Sequence, residues 1–143
     1  MGDKRVILAI DDLPMELAVF ENILGQTYDL KICSSAPEAL TALENVKSDL
    51  ILLDIEMPGM SGFEFLHQIR KMPKLMNTPV IIVSSHSGEE FTTHATQQGA
   101  NDLLTKPVNP NELRNRVSYY LEHAPPKNKL EEMLQRKLII NRD

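Results

Sequence analysis

VILAIDD at residues 6–12, LILLD at 50–54, VIIVS at 80–84 and LLTK at 103–106 share one pattern: a short apolar run that ends in polar side chains. Runs of this length are too short for helices and read as buried strands, Val6–Ile10 most clearly because it is rich in β-branched residues. Near-continuous apolar strands are what a parallel sheet covered on both faces requires. In an open sheet of that kind, ligands bind outside the carboxyl ends of the strands. Asp11, Asp12, Asp54, Ser84 and Lys106 then gather in one crevice. Three carboxylates, a hydroxyl and an ammonium suit a divalent cation and a phosphoryl group.

The segments between these strands carry helical spacing. Leu13, Leu17, Phe20 and Leu24 recur as one helix face, with Pro14 suited to the first turn and Gly25 to the end. Asp29–Cys33 alternates, with Leu30 and Ile32 facing one way, as a strand on the edge side would. Ser35 is placed to cap a helix bearing Ala39, Leu40 and Leu43, with Glu38 in the capping-box position. After the Pro/Gly turn that follows Asp54, Phe63, Leu66 and Ile69–Arg70 predict a helix that stops before Pro73. Glu89–Gln98 is a weak helix whose apolar face is Phe91 and Ala95, closed by Gly99; Asp102–Thr105 is a last short strand. Asn109, Pro110 and Glu112 make a strong helix start, ahead of Leu113, Val117 and Leu121. Five βα units result, an α/β chain whose crossovers should be right-handed, with helices on both faces.

A chain of 143 residues with 42% hydrophobic and 24% charged residues fits one soluble domain, possibly with an appendage. The domain should span 4–123. Ala124, Pro125 and Pro126 break the pattern, and 124–143 reads as a linker or helical extension, with Leu130, Met133 or Leu134, and Leu138 at coiled-coil-like spacing. That stretch is either a terminal helix frayed in solvent or the first turns of a link to an output domain. A net charge of -5 argues against general affinity for nucleic acid or anionic membranes. Cys33 is alone and reads as a buried, inert thiol. No run is long enough to span a bilayer, and the expected location is cytoplasmic.

Each polar residue has a plain structural explanation. Asp11–Asp12 could be a helix N-cap, Asp54 a turn residue, Ser84 a cap and Lys106 a solvated strand-end charge. Their joint occurrence, in order and each at a strand end, is what favours a site. Carboxylates about 4 Å apart repel by roughly 4 kcal/mol at an effective dielectric near 20, so three of them need a counterion. Oxygen donors without His or Cys select Mg²⁺, or Mn²⁺, over zinc. A carboxylate beside such a cation can attack phosphorus, while Ser84 and Lys106 bind phosphoryl oxygens.

With AIDD at 9–12, LLDIEMPGMSGFE at 52–64, PVIIVSSHS at 79–87 and GANDLLTKPVNPNEL at 99–113, the chain resembles a receiver domain of two-component response regulators. The resemblance implies a flavodoxin-like doubly wound sheet of five strands in the order 2-1-3-4-5. It implies that Asp54 is the phosphoacceptor and that Asp11 and Asp12 hold Mg²⁺, Asp11 partly through water. The backbone carbonyl of Glu56 would be a further ligand. Ser84 takes the place of the switch hydroxyl, Lys106 pairs with the phosphoryl group, and Lys106–Pro107 corresponds to the family's cis peptide. Glu56 and His86 occupy positions that flank the path of the hydrolytic water; His86 is either a plain exposed loop imidazole or a partner of Glu56 that alters phosphoryl lifetime. Leu103 departs from the family, which usually has Tyr or Phe there. Asp102 and Arg116 sit where the transcription-factor branch of the family forms an inter-subunit ion pair, although Thr92 replaces a basic residue of that branch.

The implied function is a phosphorylation-dependent switch rather than a metabolic enzyme, one that assists its own phosphorylation and its slow autodephosphorylation. Its implied partners are a sensor histidine kinase or phosphotransfer protein and a downstream effector or fused output domain. A haloacid-dehalogenase-type phosphatase would need a second Asp two residues after the nucleophile, where this chain has Glu56. A non-phosphorylated interaction module on the same scaffold would usually lack the acidic pair, the acceptor or the lysine.

Overall fold

The computed structural model describes residues 4–123. Strands β1 (Val6–Ile10), β2 (Asp29–Cys33), β3 (Leu50–Leu53), β4 (Val80–Ser84) and β5 (Asp102–Thr105) alternate with helices α1 (Pro14–Leu24), α2 (Ala36–Ala42), α3 (Gly62–Ile69), α4 (Glu89–Gln97) and α5 (Pro110–Glu122). Every neighbouring pair is parallel, in the order β2-β1-β3-β4-β5, so the expected doubly wound sheet is the observed one. The expected extension at 124–143 lies outside the described residues. No helix among the described residues is long and apolar enough to cross a membrane.

The strands are apolar throughout because successive side chains point to opposite faces and both faces are covered. Leu8, Ile10, Ile51, Leu53, Val80 and Ile82 pack with residues of α2, α3 and α4. Ile7, Ala9, Leu50, Leu52, Ile81 and Val83 pack on the other side with α1 and α5. All twelve are buried, and truncating one of the larger side chains to Ala should cost about 2–5 kcal/mol. At the edge, β2 exposes Lys31 and Ile32; the lysine discourages a further strand from adding there.

Several helix ends differ in detail from the expectation. Leu13 is at the N-cap of α1 and 51% exposed, because Leu17, Phe20 and Leu24 alone form the face turned to the sheet. Gly25 ends α1 in right-handed geometry, not in the left-handed conformation glycine often supplies. Ser35 caps α2 through the Glu38 N–H, but Glu38 accepts from the Ser34 hydroxyl and does not complete a capping box. A full box does occur on α3, between Ser61 and Glu64. That helix buries Gly62, Phe65, Leu66 and Ile69, an i, i+3, i+4, i+7 stripe, and leaves Phe63 half-buried at its margin. Helix α4 stops at Gln97, with Gln98 as its C-cap, and buries only Ala95. On α5, Asn109 Oδ1 accepts from the Glu112 N–H at 3.0 Å and Pro110 opens the first turn, as expected.

One side chain fastens the end of the sheet opposite the acidic crevice. The Arg70 guanidinium donates to Leu75 O at 2.7 Å, to Gly99 O at 2.9 and 3.1 Å, and to Asn101 Oδ1 at 3.2 Å. Asn101 Oδ1 also accepts from the Val80 N–H at 2.8 Å. The end of α3 is thereby joined to the entries of β4 and β5. Burial lowers the Arg70 pKa to about 10, which leaves the group charged at neutral pH.

Candidate functional site

Register brings the polar strand ends together. Ile10 pairs with both Cys33 and Leu53, and the ladder continues one residue further: the Asp11 N–H donates to Cys33 O at 3.1 Å and the Asp54 N–H to Ile10 O at 2.9 Å. Asp11 and Asp54 therefore leave adjacent strands at the same level. On the other side, the Lys106 N–H donates to Ser84 O at 2.8 Å, which sets Lys106 at the end of β5. Gly62 permits the close approach of α3 behind Asp54. A Cβ there would fall 2.4 Å from Asp54 O and 2.7 Å from Ile55 Cα, so no other residue fits without displacing the Asp54 backbone.

Asp11, Asp12 and Asp54 each offer a carboxylate oxygen within 4.8 Å of the others. Asp11 is fully buried; one oxygen accepts from the Leu13 N–H at 3.0 Å, and the other from Lys106 Nζ at 2.9 Å. Lys106 Nζ lies 3.6 Å from Asp54 Oδ1. Asp54 is 6% exposed, and its pKa is pushed up to about 6. Burial is the main cause, followed by repulsion from Asp11 and then Asp12, with Lys106 opposing them. Burial alone would lower the Lys106 pKa, but its hydrogen bond to Asp11 and the charges of Asp54, Asp11 and Glu16 raise it above its ordinary value. One ammonium thus leaves the three carboxylates short of positive charge. The donor set is all oxygen and partly accessible, which fits a hard divalent cation.

The pocket above these groups holds about 500 Å³ and is lined by residues that include Asp12, Asp54, Glu56, Ser85 and Lys106. The Lys106–Pro107 peptide is cis, and Pro107 also lines the pocket. Ser84 is buried, and its Oγ accepts from the His86 N–H at 3.1 Å, a local turn and not a helix cap. His86 Nε2 meets a Glu56 carboxylate oxygen, so the two loop residues are partners. Leu103 is half-buried against the core on the α2–α3–α4 side, while Leu104 is buried on the opposite face.

Two features escaped the sequence reading. Glu16 and Leu13 also line the pocket; helical spacing from Asp12 to Glu16 was the available signal. His86 also packs near Phe91, a contact between distant segments with no local signature. Asp102 and Arg116 are bonded to each other within the chain.

A lysine and three convergent carboxylates thus lie together at the carboxyl ends of the strands of a doubly wound sheet, where such folds bind ligands. The sequence matches the family described as response regulator receiver domain over residues 7–118, and the chain belongs to that family. It is 37% identical over 121 residues to a probable cyclic di-GMP phosphodiesterase of Vibrio cholerae, covering 85% of this chain and 27% of that one. It is also 37% identical over 112 residues to a protein-glutamate methylesterase/protein-glutamine glutaminase of Burkholderia pseudomallei, covering 75% and 30%. The chain therefore spans less than a third of these relatives. Its fold is similar to that of a response regulator receiver domain protein from Methanospirillum hungatei, with a TM-score of 0.77, 30% identity, and coverage of 85% and 96%.

Proposed function

We propose that residues 4–123 are a phosphorylation-dependent signalling switch in which Asp54 accepts a phosphoryl group from a sensor histidine kinase or phosphotransfer protein. The observation that carries this reading is the convergence of Asp54 with Asp11, Asp12 and Lys106 in one pocket. An Asp54 oxygen forms a bond to phosphorus as the bond from phosphorus to the donor imidazole breaks, and the leaving nitrogen keeps the electron pair. Asp11, Asp12, Asp54 and the backbone carbonyl of Glu56 would hold Mg²⁺, or Mn²⁺. When bound, the cation supplies neutralising charge to the carboxylates and phosphoryl oxygens. Lys106 is positioned to exchange part of its bond with Asp11 for one to a phosphoryl oxygen, and Ser84 to donate its hydroxyl proton to another.

A protein donor fits the surroundings. Leu13, Met15 and Val19 are 51%, 82% and 40% exposed on the side of α1 that begins at Asp12. Leu13 lines the Asp54 pocket, and Met15 and Val19, four apart, share an exposed face of α1, which offers apolar surface to a helical donor. Phosphorylation then shifts a two-state equilibrium sensed by a downstream effector or a fused output domain, the latter in keeping with the greater length of the relatives. Glu56 and His86 modulate phosphoryl lifetime, and Leu103 alters the route of transmission. Hydrolysis is slow and self-assisted, so the chain acts as a switch and not as a metabolic enzyme. The cytoplasmic location expected from the sequence belongs to the same reading.

Incubation with acetyl phosphate and Mg²⁺, followed by intact mass measurement, should show one added phosphoryl group. Asp54→Asn should abolish it, and Lys106→Ala should retain some labelling while weakening transmission. Labelling of Asp54→Asn at the wild-type rate would refute the assignment of the acceptor.

A further inference from the structure

Beside the acceptor pocket, four aromatic rings from three segments form a continuous row that phosphoryl transfer itself does not require. His86, in the loop after β4, has its ring centroid 5.6 Å from that of Phe91 on α4. Phe91 is 5.9 Å from Phe63 on α3, and Phe63 meets His94, further along α4, edge-on at 4.8 Å. On its other side the His86 ring meets the Glu56 carboxylate, and its backbone N–H donates to Ser84 Oγ. One residue thus touches the loop after β3 and α4 with its ring and the end of β4 with its backbone. Glu56 and Ser85 both line the Asp54 pocket, and His86, next to Ser85, ties the Glu56 side chain to the loop after β4 at the margin of that pocket.

The bridge needs support. The side chains of Glu56 and His86 are 62% and 54% exposed, and a contact between two such solvated groups contributes little alone. Tilted and edge-to-face ring pairs are favourable and directional, and they supply the missing constraint. Helix α4 depends on the same row, since Ala95 is its one buried residue. Gly88, at φ +109°, a conformation other residues rarely adopt, turns the chain into α4.

We propose that Phe63 and Phe91 are positioning residues: their row holds His86 against Glu56 across the side of the Asp54 pocket and so slows hydrolysis of the aspartyl phosphate. This inference rests on the phosphorylation reading above and specifies its regulation. In the hydrolysis, a water oxygen bonds to phosphorus as the bond between phosphorus and the Asp54 oxygen breaks. The electron pair returns to the carboxylate, and both water protons leave on the released dihydrogen phosphate. While His86 engages Glu56, that carboxylate does not orient the water, and the bridge narrows the approach from the side of β4. Loosening Phe91 releases both groups.

The test uses the full chain, labelled with acetyl phosphate and Mg²⁺, freed of donor by desalting, and followed by intact mass as the label decays. Phe91→Ala should lose the phosphoryl group about three- to tenfold faster, and Phe91→Tyr, which keeps the ring, should decay like the wild type. In a His86→Ala background, Phe91→Ala should add less than about twofold, because the group it positions is gone. A purely structural Phe91 would lower thermal stability equally in both backgrounds without this dependence of the decay rate on His86. Phe63→Leu, which keeps an apolar side chain at a half-buried position, gives the same comparison should Phe91→Ala not fold. Unchanged decay, or equal acceleration with and without His86, overturns the inference alone. Failure of the wild type to take up label overturns the phosphorylation reading, and this inference with it.

Discussion

Replacing Asp54 by Asn should stabilise the metal-free protein at neutral pH, although it removes the residue at the centre of the site. The Asp54 pKa stands at about 6 in the folded chain against an ordinary value of 3.8, chiefly because of burial and then repulsion from Asp11. At about 1.36 kcal/mol per unit, ionising Asp54 inside the fold costs about 3 kcal/mol relative to the unfolded chain. Asn has the same shape without the charge. Lys106 keeps its shorter bond to Asp11, at 2.9 Å, and loses only the 3.6 Å pairing with Asp54. The value of about 6 already includes the opposing pull of Lys106, so the expected gain is about 1–3 kcal/mol once the cost of burying the Asn amide is set against it.

The pH dependence has a definite sign. A raised folded pKa means that the folded protein binds the proton more tightly than the unfolded chain. The linked stability is fully present below about pH 4 and is lost as pH rises through about 6. The advantage of Asp54→Asn should therefore be greatest above pH 6 and close between pH 6 and 4, because the other carboxyl groups titrate alike in the two proteins. Urea denaturation in EDTA at pH 7.5, 6, 5 and 4 measures it. Saturating Mg²⁺ should narrow the gap by stabilising the wild type more than the variant. Equal stability at pH 7.5, or a gap that does not change with pH, would refute the electrostatic account of the site.

Asp12→Ala should abolish Mg²⁺ binding, since an octahedral site served by few carboxylates tolerates little loss; titration by calorimetry or NMR would show it, and unchanged affinity would remove Asp12 from the ligand set. Arg70→Ala should cost about 2–4 kcal/mol in urea denaturation by leaving Leu75 O and Gly99 O without their Arg70 donor and Asn101 Oδ1 with the Val80 N–H alone, with Mg²⁺ affinity unaffected. With beryllofluoride as phosphoryl mimic, the largest change in amide exchange outside the metal site should fall in residues 85–98, because α4 is held by so little. Leu103→Tyr should alter the size of that change without preventing phosphorylation; a response confined to residues 109–121 would refute the route through α4.

The sheet was legible because its information is local and redundant. A run such as LILL is buried on every residue only between two helical layers, and Asn109–Pro110–Glu112 encodes a helix start in four residues. The acidic centre was legible at one remove, since parallel strands of similar length end level and carry Asp11 and Asp54 side by side. Other features depend on contacts that leave no local trace. Nothing near Arg70 announces acceptors at Gly99 and Asn101, about thirty positions away. Phe63 reads as a core residue by helical spacing, yet the stripe of α3 runs through Phe65 and turns Phe63 toward α4.

Leu103 joins these two kinds of information. The sequence shows that the residue three positions before Lys106 is not aromatic, and the structure shows Leu103 packed on the side of the sheet that carries α4. A leucine offers neither a ring nor a hydroxyl to follow Ser84. The hydrogen bond that Ser84 Oγ does make among the described residues comes from the His86 N–H, and His86 leads by ring contact to Phe91. A displacement of Ser84 toward a phosphoryl oxygen must then stretch or carry the His86 backbone, on the one path that ends in the least buried helix of the layer. The aromatic character absent from β5 is present on α4, and on the proposed reading the strain of switching would fall where the fold resists it least.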